Sequence, residues 1–221
     1  MIVNLLTRFF GVVADRRAWL GVIYMALAFP LGLFYFIYLI TGWSLGVGTL
    51  ILWIGAVVLL LVIGLSFLLS LLERQQTIWL LERPVGPTWA HSLEGMGFWR
   101  RLGELLKNRI TWTGMLFQLL KFPFGVAAFV FLVTTSAIGG ALLLAPFYYR
   151  FDPLNFDLYY VYWSADTLGE ALLCSVVGLL LLIVTLHIIK GVSWLWGELA
   201  AVMLGRSEKE IQPEQATAQP A

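Results

Sequence analysis

The residues best suited to chemistry stand in one aromatic and acidic stretch, FYYRFDPLNFDLYYVYWSADTLGE, Phe147–Glu170. Asp152, Asp157, Asp166 and Glu170 share it with a single base, Arg150, and with Tyr159, Tyr160, Tyr162 and Trp163. Acids interleaved with aromatic rings suit a cation, a cationic peptide or a lipid headgroup. The plainer reading is an interfacial aromatic belt with solvated acids, Asp166 capping the helix that follows. The acids are too dispersed for a divalent oxygen cage, so no metal is expected. His187 lies in an apolar run, where an ionisable group is either functional, as a haem ligand or pH switch, or hydrogen-bonded to a neighbouring helix. Cys174 reads as a small core residue. Lys121 and Lys190 are placed near the interface, snorkelling to headgroups. No Ser-His-Asp set, HExxH, phosphate loop or paired intramembrane carboxylate is present, and the spans read as free of Asp and Glu. A non-catalytic protein without cofactors is expected.

The elements that carry these residues are membrane spans. Of 221 residues, 60% are hydrophobic and 12% charged, half the charge of an average soluble domain. Fourteen Lys and Arg balance thirteen Asp and Glu, so no basic field exists to hold nucleic acid. No residue from Trp19 to Leu72 carries a formal charge, which is room for two spans of about 20 residues. The glycines of TGWSLGVGT, Thr41–Thr49, predict the turn between them. Span one is then Trp19–Ile40 and span two Leu45–Leu72. A third apolar stretch, Trp112–Tyr149, is broken only by Lys121, and a fourth runs Ala171–Ile189. The expectation is an all-α integral membrane four-helix bundle with an amphipathic inner helix.

The basic residues set an expected orientation. Arg8, Arg16 and Arg17 precede span one; Arg74, Arg83, Arg100, Arg101, Lys107 and Arg109 lie between spans two and three; Arg206 and Lys209 follow span four. The positive-inside rule then makes both termini and the middle loop cytoplasmic, in the plasma membrane. Trp19, Trp112, Trp194 and Trp196 would form the inner aromatic belt, Trp43 and Trp163 the outer one. Within the middle loop, Trp99, Arg100, Arg101, Lys107 and Arg109 mark a basic amphipathic helix that either anchors on the inner leaflet or transmits movement to a partner. The organisation expected is a cytoplasmic amphipathic lead-in over 1–18, without the features of a signal peptide, then a transmembrane domain over 19–205. A tail over 206–221, Pro-, Gln- and Ala-rich, is expected to be disordered.

The chain also matches itself at an offset of 93. FPLGLFYFIYLITGWSLG, Phe29–Gly46, aligns with FPFGVAAFVFLVTTSAIG, Phe122–Gly139, with seven of 18 positions identical. Upstream, Arg16, Trp19 and Gly21 align with Arg109, Trp112 and Gly114. Each unit is expected to start on the cytoplasmic side, so the two two-helix units are expected to be parallel, related by an axis along the membrane normal: repeat one over about 13–82, loop about 83–110, repeat two about 111–205. The second carries an insertion, Ala145–Glu170, the only sizeable outer segment. Pro30 and Gly32 recur as Pro123 and Gly125, candidate hinges or close-packing points.

The same residues resemble a known family: the sensor domain at the N-terminus of many actinobacterial and some archaeal two-component histidine kinases, found also as stand-alone membrane proteins. The likeness rests on DRRAWLGVIYMALAFPLGLFYFIYLITGWSLGVG from Asp15 and on Leu72-Glu73-Arg74. It continues in FWRRLGELLKNRITWTGMLFQLLKFPFGVAAFVFLVTTSAIGGALLLAPFYY from Phe98, where Asn108 takes a place the family often gives to Asp. It ends in SADTLGEALLCSVVGLLLL, Ser164–Leu182, and the helix running out at Leu204–Gly205. Together these cover about Val13 to Gly205. No phospho-accepting His helix or ATP-binding domain follows. The resemblance therefore implies the sensing half of a signalling device. It would pass an extracytoplasmic or bilayer signal to a kinase, a regulator, a membrane complex or a second copy. The alternative is an accessory structural subunit of a larger membrane complex. Membrane lipids are expected partners and nucleic acid is not.

Overall fold

The computed structural model describes residues 9–85, 97–150, 155–158, 161–164 and 167–205. Four helices dominate: α1 (Arg16–Gly48), α2 (Ile54–Leu80), α4 (Arg109–Tyr148) and α5 (Leu168–Leu204), with the short α3 (Phe98–Lys107) before α4. All four are long and apolar enough to cross a membrane, so the chain is a multi-pass membrane protein with the expected all-α fold. At about 1.5 Å per residue they exceed the roughly 30 Å of a hydrocarbon core. Strands β1 (Asn155–Leu158) and β2 (Val161–Ser164) form an antiparallel hairpin, an addition to the expected fold.

The helix starts follow local chemistry. Asp15 caps α1, its carboxylate accepting from Arg17 N at 3.0 Å. Asn108 caps α4 in the same way, accepting from Ile110 N at 2.8 Å. Each cap is braced by an indole: Trp19 Nε1 donates to Val13 O and Trp112 Nε1 to Leu106 O. These four residues repeat at the offset of 93. At α5 the cap is Thr167 rather than Asp166, in a capping box with Glu170.

Several boundaries differ from the hydropathy reading. The glycines of Thr41–Thr49 do not make the first turn. Gly42 packs on Val62 and Gly46 on Leu59, so they serve helix contact. The chain turns instead over Thr49–Trp53, through a 3-10 turn at Leu50–Leu52 and Trp53 at φ 61°. A Cβ on Gly55 would stand 2.1 Å from Gly46 O, so only glycine fits this return. Helix α2 then runs on to Leu80, and α5 fifteen residues past Ile189, because charges enclosed or paired by neighbours do not end a helix.

The direction of the second unit is the main correction. Trp43, late in α1, stands 6.2 Å from Trp112, early in α4, and Phe29 stacks on Phe129 while Phe36 stacks on Phe122. Rising numbers in α1 meet falling numbers in α4, so these helices are antiparallel and the units inverted, not parallel. The contacts are reciprocal. A Cβ on Gly32 would meet Lys121 O at 2.6 Å, and one on Gly125 would meet Ala28 O at 2.5 Å. Those are equivalent contacts exchanged at the offset of 93. Any two-fold relation equates the same residues, so self-similarity carries no information on axis direction. Antiparallel packing also sets the helix dipoles in opposition, which is favourable. Each return helix runs parallel to the other unit's first helix, α5 along α1 and α2 along α4, as Gly21 against Ser193 and Gly114 against Ser70 show. The basic lead-ins at Arg16 and Arg109 thus stand at opposite ends of the central pair. Charge bias names no single cytoplasmic face for this arrangement, and the start of α1 and the end of α5 do not share an end.

The bundle is apolar outside and partly polar within. Exposed Leu, Ile, Val and Trp cover the long helices, while Ser66, Ser70, Glu73, Thr77, Thr111, Gln118, Lys121, Thr185 and Ser193 are buried. That is the distribution lipid demands, since polar groups must be paired inside.

Candidate functional site

The buried polar groups concentrate on one stripe of α2. Ser66, Ser70, Glu73 and Thr77 recur every three or four residues and so share a face. That face meets α4, where Gln118 and Lys121 project from neighbouring turns. Gln118 Nε2 donates to Ser66 O at 2.7 Å and to Ser70 Oγ at 3.0 Å. Lys121 Nζ reaches both Glu73 oxygens, at 2.6 and 2.5 Å, and both side chains have no exposed surface. Tyr35 OH, from α1, donates to Glu73 Oε1 at 2.7 Å. The ammonium also lies over the rings of Tyr24 and Tyr35, at 4.9 and 5.8 Å. Three helices thus converge on one enclosed carboxylate, and the cation is met on every side by acceptors or ring faces.

This overturns two expectations. Lys121 does not snorkel, and a carboxylate does stand inside the bundle. Hydropathy placed span two as ending at Leu72 because Glu73 follows; the helix instead continues and α4 neutralises the charge. The signals in the sequence were the isolation of Lys121 in an apolar run and the Leu72-Glu73-Arg74 triplet, with nothing to pair them across 48 residues.

The site belongs to one half only. Lys121 and Gln118 correspond to Ala28 and Met25 at the offset of 93. The return helices correspond at an offset of 123, by Leu59 with Leu182 and Ser70 with Ser193, each packed on an equivalent glycine. Glu73 therefore corresponds to Trp196. Trp196 is not a belt residue: its Nε1 donates to Tyr24 OH at 2.9 Å and its ring stacks on Phe124 at 3.7 Å. One half of the pseudo-symmetric core is ionic, the other aromatic.

The other sequence-selected residues are placed as follows. Pro30 stands inside α1 and Pro123 inside α4, each one to two residues from the close backbone approaches of Gly32 and Gly125. Asp157 pairs with Tyr162 and Trp163 with Phe156 in the hairpin register. Glu170 accepts from Thr167 N and Oγ1, at 2.9 and 2.8 Å. Asp152, Tyr159, Tyr160 and Asp166 lie outside the described residues, as do 1–8 of the lead-in and the tail over 206–221. Trp99, Arg100, Arg101 and Lys107 are on α3, with Arg100 and Lys107 exposed, and Arg109 opens α4. The structure brings the hinge pairs together. His187 stacks on Phe9 at 5.2 Å with Nδ1 3.0 Å from Ile183 O. Lys190 bonds Asp15 at 2.5 Å, a tether between α5 and the cap of α1. That contact and the Arg17 amide hold the Asp15 carboxyl below its usual range, the lysine being the larger cause. No group of three or more metal-binding side chains occurs among the described residues.

Comparison with known families is decisive at this point. The model of the family described as "Putative sensor" matches residues 24–204. The chain belongs to that sensor family. The match takes in the α1–α4 crossing, the ionic site and all of α5. The family's description is of sensing, which is not a catalytic role. No curated protein and no solved structure matches the chain.

Proposed function

We propose that this chain is a non-catalytic sensor of the cell membrane that passes an external or bilayer signal to a protein partner by shifting the packing of its two units. The observation that carries this reading is the Glu73–Lys121 pair with Tyr35, enclosed beside the α1–α4 crossing. Ionisable groups inside a membrane are costly and face the bundle interior when present. A paired charge keys one register, since displacement would strand it unpaired. The aromatic counterpart around Trp196 carries no such charge. A core keyed on one side and apolar on the other has the means to hold two packings, and a ligand shifts them by binding one better. The residues of the hairpin segment, Asp152, Asp157, Tyr159, Tyr160, Trp163, Asp166 and Glu170, supply the signal-binding surface. Pro30, Gly32, Pro123 and Gly125 supply the pivot. Trp99, Arg100, Arg101, Lys107 and Arg109 supply the contact with lipid and partner.

The test is a gentle pull-down of the tagged chain from its own membranes, with mass spectrometry of what travels with it. The wild type is compared with Pro30→Ala/Pro123→Ala and Lys121→Met. A kinase, response regulator or transcription factor, recovered in altered amount with the variants, supports sensing. A stoichiometric set of transport or respiratory subunits, indifferent to the variants, overturns it in favour of an accessory subunit.

A further inference from the structure

A second polar site lies apart from the ionic core. Where α1 begins, the end of α2 and the middle of α5 enclose a cavity of about 610 Å3, within the range of small-molecule sites. Three cations line it: Arg17 of α1, Arg83 just beyond α2 and Lys190 of α5. Each meets an acid through a single contact. Arg17 Nε bonds Glu82 at 2.7 Å, Arg83 Nη1 bonds Glu198 at 3.1 Å and Lys190 Nζ bonds Asp15 at 2.5 Å. Among the described residues, both terminal amino groups of Arg17 and further N–H groups of Arg83 and Lys190 therefore remain without acceptors. Among the described residues Glu82 is the acid on the cavity wall, while Asp15 and Glu198 pair with Lys190 and Arg83. Ser193, whose buried hydroxyl faces Gly21 and has no hydrogen-bond partner among the described residues, is also part of the wall. Arg83 is held by the face of Trp194, 5.1 Å away, which fixes its fork.

The cavity sits beside the start of α1 and at mid-length of α5, with Trp194 on its wall. A group with several anionic oxygens would take the unused donors as charge-assisted bonds, two of them from one guanidinium plane. We propose that this cavity binds a phosphate group, and that its bearer is a phospholipid headgroup or a soluble phosphate. The site would tie the start of α1 to α2 and α5. The proposal does not rest on the sensing reading.

The experiment uses the full chain in phosphate-free detergent, with native mass spectrometry of bound lipid. Probes are phosphatidylglycerol, diacylglycerol as the same lipid without phosphate, and inorganic phosphate as competitor. One phosphatidylglycerol per chain is expected, with no diacylglycerol retained. Loss of one charge-assisted contact predicts about tenfold weaker retention in Lys190→Gln and in Arg17→Lys, which keeps the charge but not the fork. Arg150→Gln, exposed after α4 and absent from the cavity wall, leaves retention unchanged. Displacement by millimolar inorganic phosphate supports the site and marks a soluble source; resistance to displacement supports it and marks the lipid. Equal retention of diacylglycerol, or phosphatidylglycerol binding unchanged in both Arg17→Lys and Lys190→Gln, overturns the proposal. Arg17→Lys preserves the bridge to Glu82, so a fold defect in Lys190→Gln leaves the test intact.

Discussion

Removal of Lys121 should unmask how the ionic core is held. Glu73 accepts three hydrogen bonds, two from the Lys121 ammonium at 2.6 and 2.5 Å and one from Tyr35 at 2.7 Å. Charge-assisted bonds contribute about 1.5–3 kcal/mol each, largely offset by desolvation of two fully enclosed ions. The net value of the pair is therefore small, but the cost of breaking it is not. Lys121→Met leaves a carboxylate in a bundle interior with one remaining donor, and Glu73→Gln leaves an ammonium with only dipoles and ring faces. Each should lower stability by about 3–5 kcal/mol. The double variant Glu73→Gln/Lys121→Met removes both charges at nearly constant volume and should recover most of that loss. The resulting coupling, about 5–9 kcal/mol, exceeds the usual range for residues in direct contact because each single variant strands an enclosed charge. Equilibrium unfolding of the full chain in mixed micelles, followed by tryptophan fluorescence, measures all four forms. Additive losses in the double variant, or single variants each within about 1 kcal/mol of wild type, would refute the argument that a paired charge keys this interface.

Four further expectations follow from particular contacts. Gly32→Ala and Gly125→Ala each drive a Cβ to within 2.6 or 2.5 Å of a backbone oxygen, so each should cost about 1–3 kcal/mol. Gly64→Ala, with nothing within 4 Å, should be neutral or slightly stabilising in the same unfolding assay. Labelling by an impermeant maleimide in a Cys174→Ser background should reach Ile51→Cys and Lys107→Cys from the same side of the membrane, because Trp43 meets Trp112; labelling from opposite sides would restore parallel units. The Asp15 carboxyl is held below the usual carboxylate range by Lys190 first and the Arg17 amide second, so its stabilisation is complete above that range and is lost as pH falls through the lower folded value. A pH series of thermal unfolding should show a smaller acid loss in Asp15→Asn. Thr167→Ala removes the α5 capping box and should cost about 1 kcal/mol, read in the same unfolding curves.

Membrane insertion, the all-α fold and the sensor family were legible in the residues alone. Each depends on local or cumulative properties: runs of apolar side chains, caps such as Asp15 and Asn108, and an offset of 93 that needs no partner in space. The ends of the spans were not legible. Gly42 and Gly46 suit a turn or a helix contact equally well, and only Val62 and Leu59 across the gap decide between them. The ionic site was hidden for a related reason. Glu73 reads as the end of a span until Lys121 is set against it, and hydropathy averages along a chain, not across an interface. The direction of the second unit lay furthest from the sequence, since a two-fold relation matches the same residues whichever way its axis points. It was decided by shape, as Phe29 meets Phe129, Phe36 meets Phe122 and two glycines admit each other's backbones. Composition set the solvent this chain folds in; contacts between distant residues decided where its few charges are enclosed and which way its halves face.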